Sequence, residues 1–213
     1  MRCLMCGKDT LSDRSLYRLF FLDDQLCMDC RSQWHRQRIE FRMDQIPVYS
    51  SYVYNEAFAS CLLQYKECGD EALKDVFLCL DIDYIRRKFH GYTILLMPSS
   101  EEKMQKRGFS HLSLMCECLH MPILNPFAKK DGSEQKSLHV RDRQRMIHDI
   151  ILKDDVPLPR KILLFDDVIT TGSTLKGALS NMDASRHSVR IYTAAAHEKW
   201  LQKPMRRHFS RHQ

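Results

Sequence analysis

Apolar and polar positions along this chain predict strands and helices in succession. Residues 16–22 alternate as a strand does, and residues 47–53 follow with Val, Tyr and Ser in strand-like order. Residues 54–66 change to a helical period, with Phe58, Leu62 and Tyr65 on one face, Cys61 beside them and Gly69 as the break. A second helix is predicted over 72–80, and Cys61, Cys68 and Cys79 are assigned to helical core faces. Residues 93–97 make the next strand, closed by Pro98-Ser99-Ser100. Leu112, Met115, Cys116 and Leu119 continue as an amphipathic helix, which assigns Cys116 and Cys118 to its core and rim. Residues 162–165 are a short apolar run, the signature of a strand buried on both faces of a parallel sheet, and residues 188–196 read as another buried strand. Between them Leu175, Ala178, Leu179 and Met182 return at helical spacing.

Candidate chemistry concentrates where one of these strands should end. The stretch Lys161-Ile-Leu-Leu-Phe-Asp-Asp-Val-Ile-Thr-Thr-Gly-Ser-Thr-Leu175 reads as strand, tight turn and helix start. Asp166 and Asp167 sit at the expected strand end. Thr170, Thr171, Gly172, Ser173 and Thr174 then supply hydroxyls and backbone N–H groups at a helix N-terminus, which is a phosphate site. Two carboxylates would repel a phosphate, so the ligand carries hydroxyls as well, or a metal takes part. Parallel sheets bind ligands beyond the carboxyl ends of their strands. The Pro98-Ser99-Ser100 turn should therefore open on the same edge. Lys66 ends a predicted helix just before Gly69 and is a further candidate. Lys103, Lys106 and Arg107-Gly108-Phe109 add positive charge and a flexible glycine, whereas His111 and His120 have no evident partners.

A second constellation lies at the start of the chain. Cys3-x-x-Cys6 and Cys27-x-x-Cys30 are spaced to complete one tetrahedral four-thiolate site. Asp9, Thr10 and Ser12 act as turn formers between them. So short a segment cannot bury a core alone, and a structural zinc is the natural staple. Iron shares the ligand set, but rubredoxin-like sites usually carry more glycine around the cysteines. Residues 31–45 follow as a polar bridge in which Arg31, Arg36, Arg38 and Arg42 are interleaved with Trp34 and Phe41. Cations beside aromatics suit single-stranded nucleic acid, although an exposed helix packing its aromatics on the next domain explains the same pattern.

Composition excludes some classes. No apolar run is long enough to span a bilayer, so membrane insertion is not expected. The first residues lack a signal-peptide core, and the nine cysteines include two CxxC pairs, which points to the cytoplasm and to reduced or metal-bound thiols. A net charge of +6 permits an anionic partner without demanding one. Residues 122–160 read as loop-rich, with a polar stretch from Lys129 to Ser133 that suits a lid; the alternative is a surface excursion with a helix docked by its isoleucines. The basic residues 197–213 suit a solvated tail or a nucleic-acid contact.

The 161–175 stretch resembles the binding motif of type I phosphoribosyltransferases, with four apolar residues, two acids and then Thr-Thr-Gly-x-Thr. That resemblance implies that Asp166 and Asp167 hold the ribose hydroxyls of phosphoribosyl diphosphate (PRPP). It implies that residues 170–174 wrap the 5-phosphate and that Pro98, Ser99 and Ser100 hold the diphosphate. The order of features is similar to the ComF family along nearly the whole chain. The four-cysteine unit comes first, then Tyr54, Lys66 and Gly69, then Pro98-x-Ser100, Arg107-Gly108-Phe109, and Gln135, Leu138 and Arg143 before the final motif. Family members are competence proteins of naturally transformable bacteria. Two positions depart from the family pattern, in which Asn stands where this chain has Ser110 and Met146.

The expected architecture is thus α/β: a type I phosphoribosyltransferase-like parallel sheet flanked by helices over 46–213, preceded by a four-cysteine zinc-finger unit and basic linker over 1–45. The resemblance implies handling of incoming single-stranded DNA, with a ComFA-type ATPase or helicase-like partner and association with the DNA-uptake machinery. It leaves room for magnesium and PRPP as ligands. The alternative is an active phosphoribosyltransferase with an unknown acceptor, for which Asp166, Asp167, Lys66 and Arg107 are the catalytic candidates.

Overall fold

Two strands, β1 (Arg36–Met43) and β2 (Ile46–Val53), form an antiparallel hairpin at one edge of the main sheet. Their turn residues, Asp44 and Gln45, both have positive φ, at 47° and 69°, the conformation that two-residue hairpins require. The pair lacks the Asn-Gly or Asp-Gly signal of such turns, so residues 31–45 read as a bridge although they contain a strand. The expected domain boundary after residue 45 falls inside this hairpin. In β1, Ile39, Phe41 and Met43 face inward and alternate with the exposed Arg38 and Arg42.

The structure, a computed structural model, describes residues 2–10, 24–129, 150–153 and 156–201. The predicted strand over 16–22, the Gln135, Leu138, Arg143 and Met146 positions and the basic residues beyond 201 lie outside the described residues. The remaining strands of the main sheet are β3 (Thr93–Leu96), β4 (Ile123–Leu124), β7 (Lys161–Ile169) and β8 (Ser188–Ala196). Between β4 and β7, β5 (Phe127–Lys129) and β6 (Ile150–Leu152) form a separate antiparallel pair. Residues 122–160 therefore contain strands rather than loop alone, and Ile150 is buried in one of them rather than in a docked helix. The main sheet runs β1-β2-β8-β7-β3-β4, and every pairing after the first is parallel. This is a mixed α/β fold with a mostly parallel central sheet, as expected.

Strand β7 is the centre of the layout. Residues 162–165 are fully buried, because helices cover both faces of a parallel sheet. The strand does not stop at the acids as the sequence suggested. It continues to Ile169 alongside β8, pairing Asp166 with Thr193 and Ile169 with Ala196. Its ladder with β3 ends earlier, at Phe165 and Leu96. The two acids are thus backed by β8 on one side and project past the end of β3 on the other, which opens a crevice at the carboxyl edge.

The helices are α1 (Met28–Ser32), α2 (Glu56–Glu67), α3 (Ile82–Lys88), α4 (Glu101–Arg107), α5 (His111–Glu117) and α6 (Ser173–Ser180). Helix α2 starts at Asn55, whose side chain accepts from Phe58 N at 3.0 Å, and buries Phe58, Cys61, Leu62 and Tyr65 as predicted. The helix predicted over 72–80 is instead two short 3-10 turns, Glu71–Asp75 and Cys79–Asp81. Val76, Phe77 and Leu78 between them are all buried. Three consecutive inward side chains do not fit one stripe of an α-helix.

Candidate ligand-binding site

At the carboxyl edge of β3 and β7 lies a cavity of about 230 Å³, whose lining includes Lys66, Ser99, Arg107, His111, Asp166 and Asp167. Pro98, Ser100, Lys103, Lys129 and Thr174 also reach it. The structure therefore brings together the diphosphate-loop, acid and helix-start candidates that the sequence placed on one edge. Of the 170–174 loop, Thr174 lines this cavity, whereas Thr170 and Thr171 are exposed and do not line it.

The loop is held from beneath. Trp200 Nε1 donates to Thr170 O at 2.8 Å, and His197 N donates to Ile169 O at 3.0 Å. Gly172 has φ +79°, and a Cβ there would stand 2.9 Å from Met43 Sδ and 3.7 Å from the Trp200 ring. The end of β1 is therefore part of the cradle's floor. Gly172→Ala is expected to lower stability by about 1–2 kcal/mol, because an L-residue in the left-handed region meets its own backbone as well as Met43. Urea denaturation reads this directly; an unchanged midpoint would show that neither constraint is real. Gly172 also caps α6, and Thr171 Oγ1 lies 3.0 Å from Ser173 Oγ and accepts from Ser173 N at 3.4 Å.

The two acids are held in different ways. Asp166 Oδ1 accepts from Asp167 N at 3.0 Å. Asp167 Oδ2 accepts from His111 Nε2 at 2.8 Å and also from Lys66 Nζ. Each carboxylate therefore has one anchored oxygen, and its other oxygen accepts no hydrogen bond among the described residues. Their charge states diverge accordingly. Burial, followed by repulsion from Asp167, pushes the Asp166 carboxyl up to about 7. Burial acts on Asp167 too, but the bond to His111 and the charge of Lys66 outweigh it and hold the carboxyl well below the usual range.

His111 is the site residue that sequence reasoning missed. Arg107 reaches it across the turn of α4 into α5, where Gly108 at φ +83° ends the first helix. Arg107 donates to His111 Nδ1 at 2.7 Å and to Lys66 O at 2.6 Å. The signal available was the four-residue spacing from Arg107, but the partner that gives His111 a role is far away in sequence.

The nucleic-acid candidates are placed less favourably. Arg31 is 5% exposed and Trp34 is 3% exposed. Arg31 pairs with Asp24, and Trp34 packs against Tyr52, Phe58 and Phe77 at centroid distances of 5.2, 4.7 and 5.6 Å. Arg36 and Arg38 both donate to the buried Asp81, at 2.9 and 3.0 Å. Arg42 donates to Gln45 O at the hairpin. The aromatic that would stack on a base is thus core, and the segment presents no interleaved aromatic and basic surface.

The cysteines converge as expected. The Sγ atoms of Cys3, Cys6, Cys27 and Cys30 all lie within 4.8 Å of one another, with Cys6 and Cys27 at 3.7 Å. A metal–sulfur distance of about 2.3 Å places tetrahedral sulfurs about 3.8 Å apart, so the four thiols fit a single metal ion. The first pair is presented by a tight turn in which Gly7 N donates to Cys3 O at 2.9 Å, and the second by the start of α1. Four thiolates close the shell and leave no position for a substrate.

Together, the sheet order, the paired acids and the 170–174 loop define a mixed α/β domain with a crevice at the carboxyl edge of its mostly parallel sheet, preceded by four cysteines whose thiols fit one metal ion. No protein-family model matches the chain. It is 26% identical to "Competence protein ComFC" of Streptococcus pneumoniae over 199 residues, covering 82% of this chain and 90% of that protein. It is 25% identical to the Bacillus subtilis protein of the same name over 207 residues, covering 81% and 85%. The chain is thus similar to ComFC competence proteins over about four fifths of its length. Among solved structures it resembles adenine phosphoribosyltransferase from Saccharomyces cerevisiae at 12% identity and TM-score 0.32, over 61% of this chain and 76% of that one. It also resembles orotate phosphoribosyltransferase from Aeropyrum pernix at 14% and 0.35, over 83% and 95%. No described helix is long and apolar enough to cross a membrane.

Proposed function

We propose that the carboxyl-edge cavity binds PRPP or a closely related ribose phosphate, in a cytoplasmic protein that handles incoming single-stranded DNA. The observation that carries the ligand reading is the state of the two acids. Asp166 and Asp167 are sequence neighbours, each with one oxygen anchored and, among the described residues, one left to accept. Two such acceptors side by side suit a vicinal diol, in which each hydroxyl donates to one carboxylate. The 170–174 loop and the α6 N-terminus suit the phosphate at the other end of a pentose. Lys103 and Lys129 would neutralise a diphosphate beside Ser99 and Ser100, where a magnesium ion would add charge stabilisation. The resident ion of the cysteine unit is zinc, in a structural role.

The DNA-handling part rests on the ComFC relatives and the family resemblance. Since Arg31 and Trp34 are internal, DNA or an ATPase partner would meet other surfaces. An active transferase is the second reading, favoured by the cations beside the diphosphate loop; retained binding without turnover uses the same residues.

Calorimetric titration of PRPP with magnesium tests the ligand. Asp166→Asn and Asp167→Asn are each expected to weaken binding about tenfold or more, since each loses a charge-assisted hydrogen bond. Unchanged affinity in both variants would refute the site. Single-stranded DNA binding measured with and without PRPP then separates the two readings: enhancement favours regulation by the ligand, whereas diphosphate release with an added acceptor favours transfer.

A further inference from the structure

His111 belongs to a closed ring of hydrogen bonds around Asp167, and we infer that it positions this carboxylate for the ligand, an assignment that rests on the ribose-phosphate reading above. The ring joins four residues from four elements. Lys66 at the end of α2 reaches Asp167 through its ammonium group and accepts from Arg107 through its carbonyl, at 2.6 Å. Arg107 at the end of α4 donates onward to His111 Nδ1 at 2.7 Å. His111 at the start of α5 closes the circuit on Asp167 Oδ2 at 2.8 Å. The backbone of His111 is fixed as well, because Tyr65 donates its hydroxyl to His111 O at 2.7 Å.

The chemistry of the ring settles the form of the imidazole. Arginine has donors only, so Nδ1 must be the acceptor. Nε2 then carries the proton and donates it to Asp167. The imidazole in this ring is neutral, with one acceptor and one donor facing opposite ways. Burial, together with the charges of Lys66 and Arg107, lowers its proton affinity against the opposing pull of Asp167.

The ring does more than neutralise a buried acid. Lys66 alone would hold Asp167 by charge but leave the carboxylate free to pivot. His111 bonds the same oxygen, Oδ2, from a second fixed element. With both bonds on Oδ2, the plane of the carboxylate is set and Oδ1 is the atom offered to a hydroxyl. His111 need not touch the ligand for its loss to be felt.

Glutamine separates this role from mere space-filling. Its amide oxygen can accept from Arg107 while its NH2 donates to Asp167, which reproduces the pattern of the neutral imidazole. Calorimetry with PRPP on the full chain should show His111→Ala about tenfold weaker than the unaltered protein and His111→Gln within about threefold of it. Thermal melts establish that both variants are folded. Nitrogen-15 spectra of the ligand-free protein, with the His111 signal identified by its loss in His111→Gln, should show the Nε2–H form. Alanine binding as well as histidine, glutamine binding as poorly as alanine, or an Nδ1–H or doubly protonated ring would each overturn the assignment. If the unaltered protein fails to bind PRPP, the ribose-phosphate reading is the one that falls; the tautomer still decides the ring, which an Nε2–H signal supports and an Nδ1–H signal refutes.

Discussion

Replacing Arg31 by alanine is expected to destabilise the folded chain by about 3–5 kcal/mol, the cost of breaking a buried ion pair by removing one partner. The pair is with Asp24, at 2.7 Å through Nε and 2.5 Å through NH2, and the two side chains are 5% and 1% exposed. Arg31 also donates to Val76 O at 2.9 Å and Tyr52 Oη at 3.3 Å, and its guanidinium stacks 4.6 Å above Trp34. The substitution strips the guanidinium from a buried carboxylate, a buried carbonyl and an aromatic face at once. Arg42, exposed on the hairpin, serves as the control, and its truncation should fall within about 0.5 kcal/mol of the unaltered protein. Urea unfolding followed by tryptophan fluorescence measures both. A loss below about 1 kcal/mol at Arg31 would mean that the network contributes little beyond packing.

The contrast between Arg31 and the 161–175 stretch shows what was readable beforehand. The cradle is local: strand, acids, hydroxyls and helix start follow one another, so spacing alone conveys the chemistry. The cysteine unit is nearly as local, because each CxxC presents two ligands from one turn. Arg31 and Trp34 looked like a surface pattern because their burial depends on Val76, Phe77 and Tyr52, none of them a neighbour in sequence. Lys66 and Asp167 are 101 positions apart, and His111 and Asp167 are 56 apart. Pairing at such range is set by the sheet order, which periodicity does not reveal. Likewise β1 escaped notice because its turn uses Asp-Gln at positive φ, a combination that turn statistics disfavour.

Removing the metal should cost more than any single substitution, and the loss should pass through Arg31. Purified protein is expected to carry about one equivalent of zinc, because four thiols within 4.8 Å of each other form one closed site. Binding at such sites is worth about 10–16 kcal/mol at neutral pH in small zinc units, and that energy is folding energy. Arg31 directly follows the ligand Cys30 and lies in α1, whose first turn begins at the ligand Cys27. Its guanidinium ends in the core of the main domain, so a metal held by the four thiols would fix the helix that inserts the ion pair. Chelation should therefore lower the melting temperature of the whole chain and perturb Trp34 fluorescence, not only release zinc. The same chelation in Arg31→Ala should produce a smaller further drop, since two changes acting through one network are not additive. Equal drops in both backgrounds would sever the metal unit from the sheet energetically, and a metal-free preparation with an unchanged melting temperature would remove the structural ion altogether.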